Sequence, residues 1–187
     1  MSVSVRPATR EDARVIAEVV AMAIGSESAV LYCGENYLDV LEEIALEKGT
    51  QYSYENSSIA SVGGVPAGAI CGYDGALLYQ LREKTLSIIR KYNPSIHVPD
   101  DETEAGEFYL DSVGVLPEFR GHGVGTALLQ AMTAKAHADG HEHVALIVDQ
   151  DNPAAERLYA RLGFQRAGIR MFFGHTMWHM LHLNNIS

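Results

Sequence analysis

Val113-Gly114-Val115-Leu116-Pro117-Glu118-Phe119-Arg120-Gly121-His122-Gly123-Val124-Gly125-Thr126 is the stretch that decides the fold. An apolar strand over 107–115 feeds a proline-opened turn. Three spaced glycines then lead into a helix over 126–139, with Leu128, Leu129, Met132 and Ala136 facing inward. Glycine tolerates positive φ and lets backbone N–H groups approach a ligand closely. Those groups, with the helix dipole, form an anion site suited to phosphate. Arg120 adds a permanent charge and a planar donor fork. Two familiar glycine loops are excluded. No Gly-Lys-Ser/Thr follows, as a nucleotide P-loop requires, and Gly-x-Gly-x-Gly lacks the spacing of the dinucleotide fingerprint.

Downstream, 143–148 reads as a buried strand and 152–162 as a short helix. Asn152 can cap that helix and Pro153 sits in its first turn, where a missing N–H costs nothing. Ala155, Leu158, Tyr159 and Leu162 share one helical face, Gly163 stops the helix, and strands near 164–173 and 177–183 follow. Upstream, Val3 and Val5 suit an opening strand. Thr9 caps an amphipathic helix that has Glu11 and Asp12 in its first turn and runs to Gly25, and 37–48 is a second amphipathic helix. Strands at 57–62 and 67–73 flank Gly63-Gly64-Val65-Pro66, a helix spans 77–92, and 93–105 reads as an exposed acidic loop. Helices alternate with strands, so the class is α/β with a mixed sheet.

Composition sets the outer limits. A chain of 187 residues fits one domain. Its 24 acidic and 14 basic side chains leave a net charge of −10, which argues against holding a nucleic-acid backbone. No apolar run is long enough for a membrane-spanning helix, and the N-terminus lacks the pattern of a secretory signal. Cys33 and Cys71 have no Cys-x-x-Cys spacing and read as reduced core thiols of a cytoplasmic protein. His137, His141 and His143, or His175, His179 and His182, invite a metal reading. With no Cys partner among them, none is expected. Met171, Phe172, Phe173 and Trp178 suggest an apolar edge or a homodimer surface.

Arg120, Gly123 and Gly125 fill the Arg/Gln-x-x-Gly-x-Gly/Ala signature, and a second block follows: Asn152, Ala155, Leu158-Tyr159 and Leu162-Gly163-Phe164. Together they make the chain resemble the GCN5-related N-acetyltransferases (GNAT). The resemblance implies one domain over 3–184, with a helical and loop insert near 75–105 walling the acceptor site. It implies a mixed, twisted, mostly antiparallel sheet flanked by helices, its fourth and fifth strands parallel and splayed. Acetyl-CoA is the implied co-substrate. The backbone of Val113, Gly114 and Val115 would meet its acetyl carbonyl and pantetheine arm. Arg120 and the N–H groups of Gly121, His122, Gly123, Val124, Gly125 and Thr126 would cradle the pyrophosphate. Asn152 and Ala155 join that side, and Tyr159 is the implied acid that protonates the leaving thiolate. The implied reaction acetylates a primary amine of a small molecule. A protein lysine or N-terminal acetyltransferase and a catalytically silent acyl-CoA sensor stand as alternatives.

A base must take a proton from the amine. The two-residue strand period puts 107, 109, 111 and 113 on one face, which makes Glu107 and Asp111 the candidates. Glu107 is favoured as base, with Asp111 nearer the acetyl end for positioning. Where histone-type members carry their glutamate this chain has Tyr109. Where members acting on protein N-termini carry theirs it has Ile147, which weighs against that substrate. The acidic run 100–104 favours a cationic acceptor.

Overall fold

A computed structural model describes residues 2–184. The alternating valines open β1 (Val3–Pro7), and a short 3-10 turn leads into α1 (Ala13–Ile24). There the Asp12 carboxylate reaches back to accept the Thr9 N–H at 2.7 Å, closing the first turn. Next come α2 (Ser26–Cys33), α3 (Tyr37–Leu46), and the hairpin of β2 (Ser57–Val62) and β3 (Val65–Asp74). The second half runs α4 (Leu78–Ile89), β4 (Glu107–Val115), α5 (Val124–Ala138), β5 (His143–Asp149), α6 (Pro153–Arg161), β6 (Gln165–Phe172) and β7 (His175–Leu183).

One seven-stranded sheet has the order β1-β2-β3-β4-β5-β7-β6. All neighbouring pairs are antiparallel except β4 and β5. Those two are parallel because α5 carries the chain back across the sheet. Apolar residues cover both faces. Ile16, Val20, Leu41 and Ile44 from α1 and α3 pack on one side against Ile59 and Cys71. Leu128, Leu129 and Met132 of α5 pack on the other with Val144, Phe164 and Met180. Each such side chain contributes about 1.5–3 kcal/mol on burial.

Two departures from regular pairing position the site. The β4–β5 ladder runs only from Glu107↔His143 to Tyr109↔Ala145, and beyond it the strands diverge, as the resemblance implied. The β3–β4 ladder slips between Cys71↔Ser112 and Gly72↔Leu110, leaving Asp111 as an extra residue in β4. A bulge of this kind resets the in–out alternation. Tyr109 therefore packs with Tyr73 on one face, whereas Val113 and Val115 pack with α5 on the other, and Gly114 faces Val19 of α1. The expectation that 113 shares a face with 107, 109 and 111 is corrected by that one residue.

Other differences are local. Helix α2 has no counterpart in the sequence reading. Its apolar residues spread around the axis, and only Ala29 and Cys33 are buried, so no stripe marks it. The 93–105 loop is not wholly exposed: Glu102 and Thr103 are only 3% and 1% accessible. Phe173 packs onto Tyr32 and Phe172 onto Phe173 rather than lying on an open edge, while Met171 stays exposed. Among the described residues, no single helix is long and apolar enough to cross a membrane.

Candidate active site

Helix α5 begins at Val124, and its first helical bond runs from the Ala127 N–H to the Gly123 carbonyl at 3.0 Å. The N–H groups of Val124, Gly125 and Thr126 therefore have no acceptor within the helix. Gly123 precedes them at φ 76°, in the left-handed region. Nothing stands within 4 Å of where its Cβ would be, so glycine is needed there for backbone shape, not for space. The His122 ring N–H donates to the Phe119 and Arg120 carbonyls at 3.2 and 3.0 Å and holds the turn from outside.

Gly125 lines a cavity of about 360 Å³ beside the end of β4 that runs beyond the β4–β5 ladder. Val113, Gly114 and Val115 line one wall, Arg120 lies at the loop end, and Leu158 and Tyr159 come from α6. Met22 and Ala23, at the end of α1, complete it. Asn152 and Ala155 do not line this space. Asn152 accepts the Ala155 N–H at 3.1 Å and caps α6, so both act by fixing the helix that delivers Tyr159. Burial pushes the Tyr159 phenol above its ordinary value, so its O–H is retained at neutral pH.

A buried polar network occupies the other face of β4. The Tyr73 hydroxyl donates to Asp111 at 2.7 Å, and the Ser112 hydroxyl donates to the other carboxylate oxygen at 3.0 Å. Gln51 donates from one amide nitrogen to Tyr73 and to Glu102, each at 3.0 Å. Glu102 is paired with Arg82, which also holds Asp101 at 2.7 Å and the Pro99 and Asp100 carbonyls. Gly75 lets this loop close, because a Cβ there would run into the Glu104 carbonyl oxygen. Burial, and then the Glu102 charge, push the Asp111 carboxyl up to about 7 against the opposing pull of Tyr73, Ser112 and Arg82. Burial likewise raises Glu102, more than Arg82 lowers it.

Glu107 has a different environment. It accepts from Thr103 at 2.7 Å and from His179 at 2.9 Å, with Arg170 3.8 Å away. Burial works to raise its carboxyl, but those hydrogen bonds and charges outweigh it and hold the group below the usual carboxylate range. His179 lies on β7, so Glu107 ties β4 to a strand beyond β5.

The Acetyltransferase (GNAT) family model matches residues 35–164, well over half the chain. The chain belongs to the GNAT acetyltransferase family. A GNAT relative, the mycothiol acetyltransferase of Thermobispora bispora, is 39% identical over 88 residues, 46% of this chain. This chain spans 29% of that protein's length. A solved acetyltransferase structure superposes with a TM-score of 0.81 at 30% identity, covering 96% of this chain and 98% of the other. An aminoglycoside acetyltransferase solved with coenzyme A and kanamycin shares the fold, with a TM-score of 0.64 at 20% identity over 98% and 95% of the two chains. Acetyl-CoA is the co-substrate of the GNAT family.

The GNAT signature residues sit together around the cavity, with Asn152 and Ala155 one layer back. Tyr73, Gln51, Glu102 and Arg82 are not singled out by the sequence reading, yet they set the environment of Asp111. One signal was available: Arg82 falls on the buried face of α4 between Leu78, Leu81, Thr85 and Leu86, where a guanidinium demands a carboxylate. The histidines divide among other tasks. His137 and His182 bond one another at 2.9 Å, His175 meets Asp149 at 2.8 Å, and His179 meets Glu107. Among the described residues, no three His, Cys, Asp or Glu side chains converge on one point. Burial raises the thiols of Cys33 and Cys71 to about 11 and about 12, which leaves both unreactive at neutral pH.

Proposed function

We propose that this GNAT chain moves an acetyl group from acetyl-CoA to a primary amine of a small molecule, in the cytoplasm. In this reading residues 3–184 form one N-acetyltransferase domain, and the insert near 75–105 walls the acceptor side. The observation that carries it is the cavity beside β4 where that strand parts from β5, with the helix start at Gly125 and Tyr159 on its wall.

The residues present fit the co-substrate. Arg120 and the amides of Val124, Gly125 and Thr126 offer charge and donors to a pyrophosphate. The gap gives the pantetheine arm an unpaired strand edge along Val113–Val115. When bound there, acetyl-CoA supplies an activated acetyl thioester. Asp111, with a carboxyl near 7, is charged in a large fraction at neutral pH and takes the amine proton at a carboxylate oxygen. The Tyr159 O–H, kept protonated by burial, stands ready to give a proton at the thiol end of the cavity. Glu107 is already engaged by His179 and Thr103 and serves as a strand tie. A carboxyl raised toward neutrality at Asp111, against one held low at Glu107, supports Asp111 as base, the reverse of the sequence-based preference.

A peptide acceptor would need an open groove. The insert and the aromatic pair Phe172–Phe173 instead enclose the space beyond α1, which supports a small molecule. A silent sensor would leave both Asp111 and Tyr159 without a task. Thiol release from acetyl-CoA across an amine panel, read beside calorimetry of acetyl-CoA binding, tests the reading. Binding with amine-dependent thiol release is expected. An absence of binding overturns it, and binding without release with any primary amine leaves the sensor.

A further inference from the structure

A second cavity lies beyond the last turn of α1: Ile24 lines it, whereas Met22 and Ala23 line the first. Its walls are Tyr32, Leu41, Leu86, Ile89 and, from the β6–β7 hairpin tip, Phe172 and Phe173. Gln51 and Glu102 are its polar floor. The free space is about 30 Å³, which holds little more than a water.

Three polar groups on this surface are already committed, while the Tyr32 and Tyr52 hydroxyls that also line it have no hydrogen-bond partner among the described residues. Thr85 donates to the Leu81 carbonyl at 2.9 Å and accepts the Gln51 N–H at 2.9 Å. The Gln51 side chain serves Tyr73 and Glu102, and the Glu102 oxygens take Gln51 and Arg82. A hydroxyl entering here would lose water and gain few partners. An ammonium meets the opposite situation. Two carboxylates, Glu102 and Asp111, are joined through Tyr73, and Arg82, the cation paired with Glu102, also serves Asp101.

The closure is aromatic as well. Phe173 packs edge-on against Tyr32 with ring centroids 5.0 Å apart and against Phe172 at 4.3 Å. Among the described residues it is the one non-glycine residue with positive φ, 51°. A bulky side chain keeps that conformation only while its contacts hold it. An occupant that displaces the tip must offer replacement hydrocarbon.

We propose that this cavity takes the hydrocarbon body of the acceptor, an arylalkyl or branched-alkyl primary amine, with its amino group at the Glu102–Tyr73–Asp111 end. The proposal rests on the acetyl-transfer reading and narrows it. The Phe173 ring exchanges its contact with Tyr32 for contact with the substrate, and Phe172 moves with it. Polyhydroxylated amines are disfavoured because the two phenols of Tyr32 and Tyr52 pair at most a few of their hydroxyls and the rest stay unpaired.

The test compares kcat/KM of the full chain for 2-phenylethylamine and 3-methylbutylamine with that for glucosamine and kanamycin. The hydrocarbon amines should lead by about a hundredfold or more. Phe173→Ala should raise KM for 2-phenylethylamine about tenfold with acetyl-CoA affinity unchanged, since a lost aromatic contact of this kind weakens binding on that scale. Equal or better use of glucosamine or kanamycin overturns the proposal, as does an unchanged KM in Phe173→Ala. If acetyl-CoA binds but none of the four amines is acetylated, the acceptor assignment falls and the cofactor site stands. If acetyl-CoA does not bind, the underlying reading falls and takes the proposal with it.

Discussion

The two faces of β4 solve different problems with different materials. On the α5 side, recognition is built from backbone: an unpaired strand edge, three helix-start amides and glycine in the left-handed region. On the α4 side it is built from side chains brought together from residue 51 to residue 111, with Arg82 and Glu102 at the buried centre. The backbone site presents main-chain groups that every residue type carries, so it suits a ligand common to a whole family. The side-chain site changes character with one substitution, so it suits the variable partner.

The most severe test of this division removes one carboxylate. Asp111→Asn should lower kcat/KM by about a hundred- to ten-thousandfold. It should also remove the acidic limb near pH 7 while leaving acetyl-CoA affinity within about twofold, because the cofactor side gains nothing from that side chain. A retained limb would move the base elsewhere and break the comparison.

Tyr159 sits on the backbone-built side, yet in the proposed reaction it would act through its side chain. Tyr159→Phe should depress kcat by about a hundredfold with acetyl-CoA binding nearly intact, as expected for a lost general acid. A fall below about threefold in single-turnover measurements would reduce it to packing against Phe164, its edge-on neighbour.

Gly123→Val probes the backbone site alone. Forcing a β-branched residue to φ 76° costs about 1–2 kcal/mol. Acetyl-CoA affinity should therefore fall about tenfold, with the pH limb unmoved. Calorimetry on the folded variant reads the first and a pH–rate profile the second.

The smallest expected effect is the most diagnostic. Glu102→Gln removes the negative charge that raises Asp111, so the acidic limb should move to lower pH. Stability gives a parallel readout. Folding raises the Asp111 carboxyl from its ordinary 3.8 to about 7, so between those values the folded state binds the extra proton. This contribution to stability declines as pH climbs through that window. The Tm of Asp111→Asn, relative to the parent chain, should rise from pH 4 to pH 7.

The contrast between the faces also explains what could be read from sequence. The 113–126 loop and the 152–164 block were legible because glycine, proline and a capping asparagine act through their immediate neighbours. The alternation of helices and strands followed for the same reason, from local periodicity. Helix α2 was not legible, since its burial comes from packing below α1 and not from a stripe of its own. Nor was the Asp111 network, whose long-range pairs lie 20 to 51 residues apart. The bulge was hidden too, because a ladder slip depends on the partner strand and leaves no mark on either strand's own pattern. It shifted the reading of Val113 and, through the neighbours it gives Asp111, the choice of base.

That extra residue in β4 makes the strand a frame-sensitive message. Upstream of Asp111 odd-numbered residues look toward α1 and α4, and downstream even-numbered ones do. Deleting a single residue there would restore a regular ladder and turn the other half of the strand over, exchanging wall for core on both faces at once. Substitutions can tune this chain one contact at a time, but length changes in this strand cannot. Variation in length must be absorbed elsewhere, and the long connection between β3 and β4 is where this chain carries it.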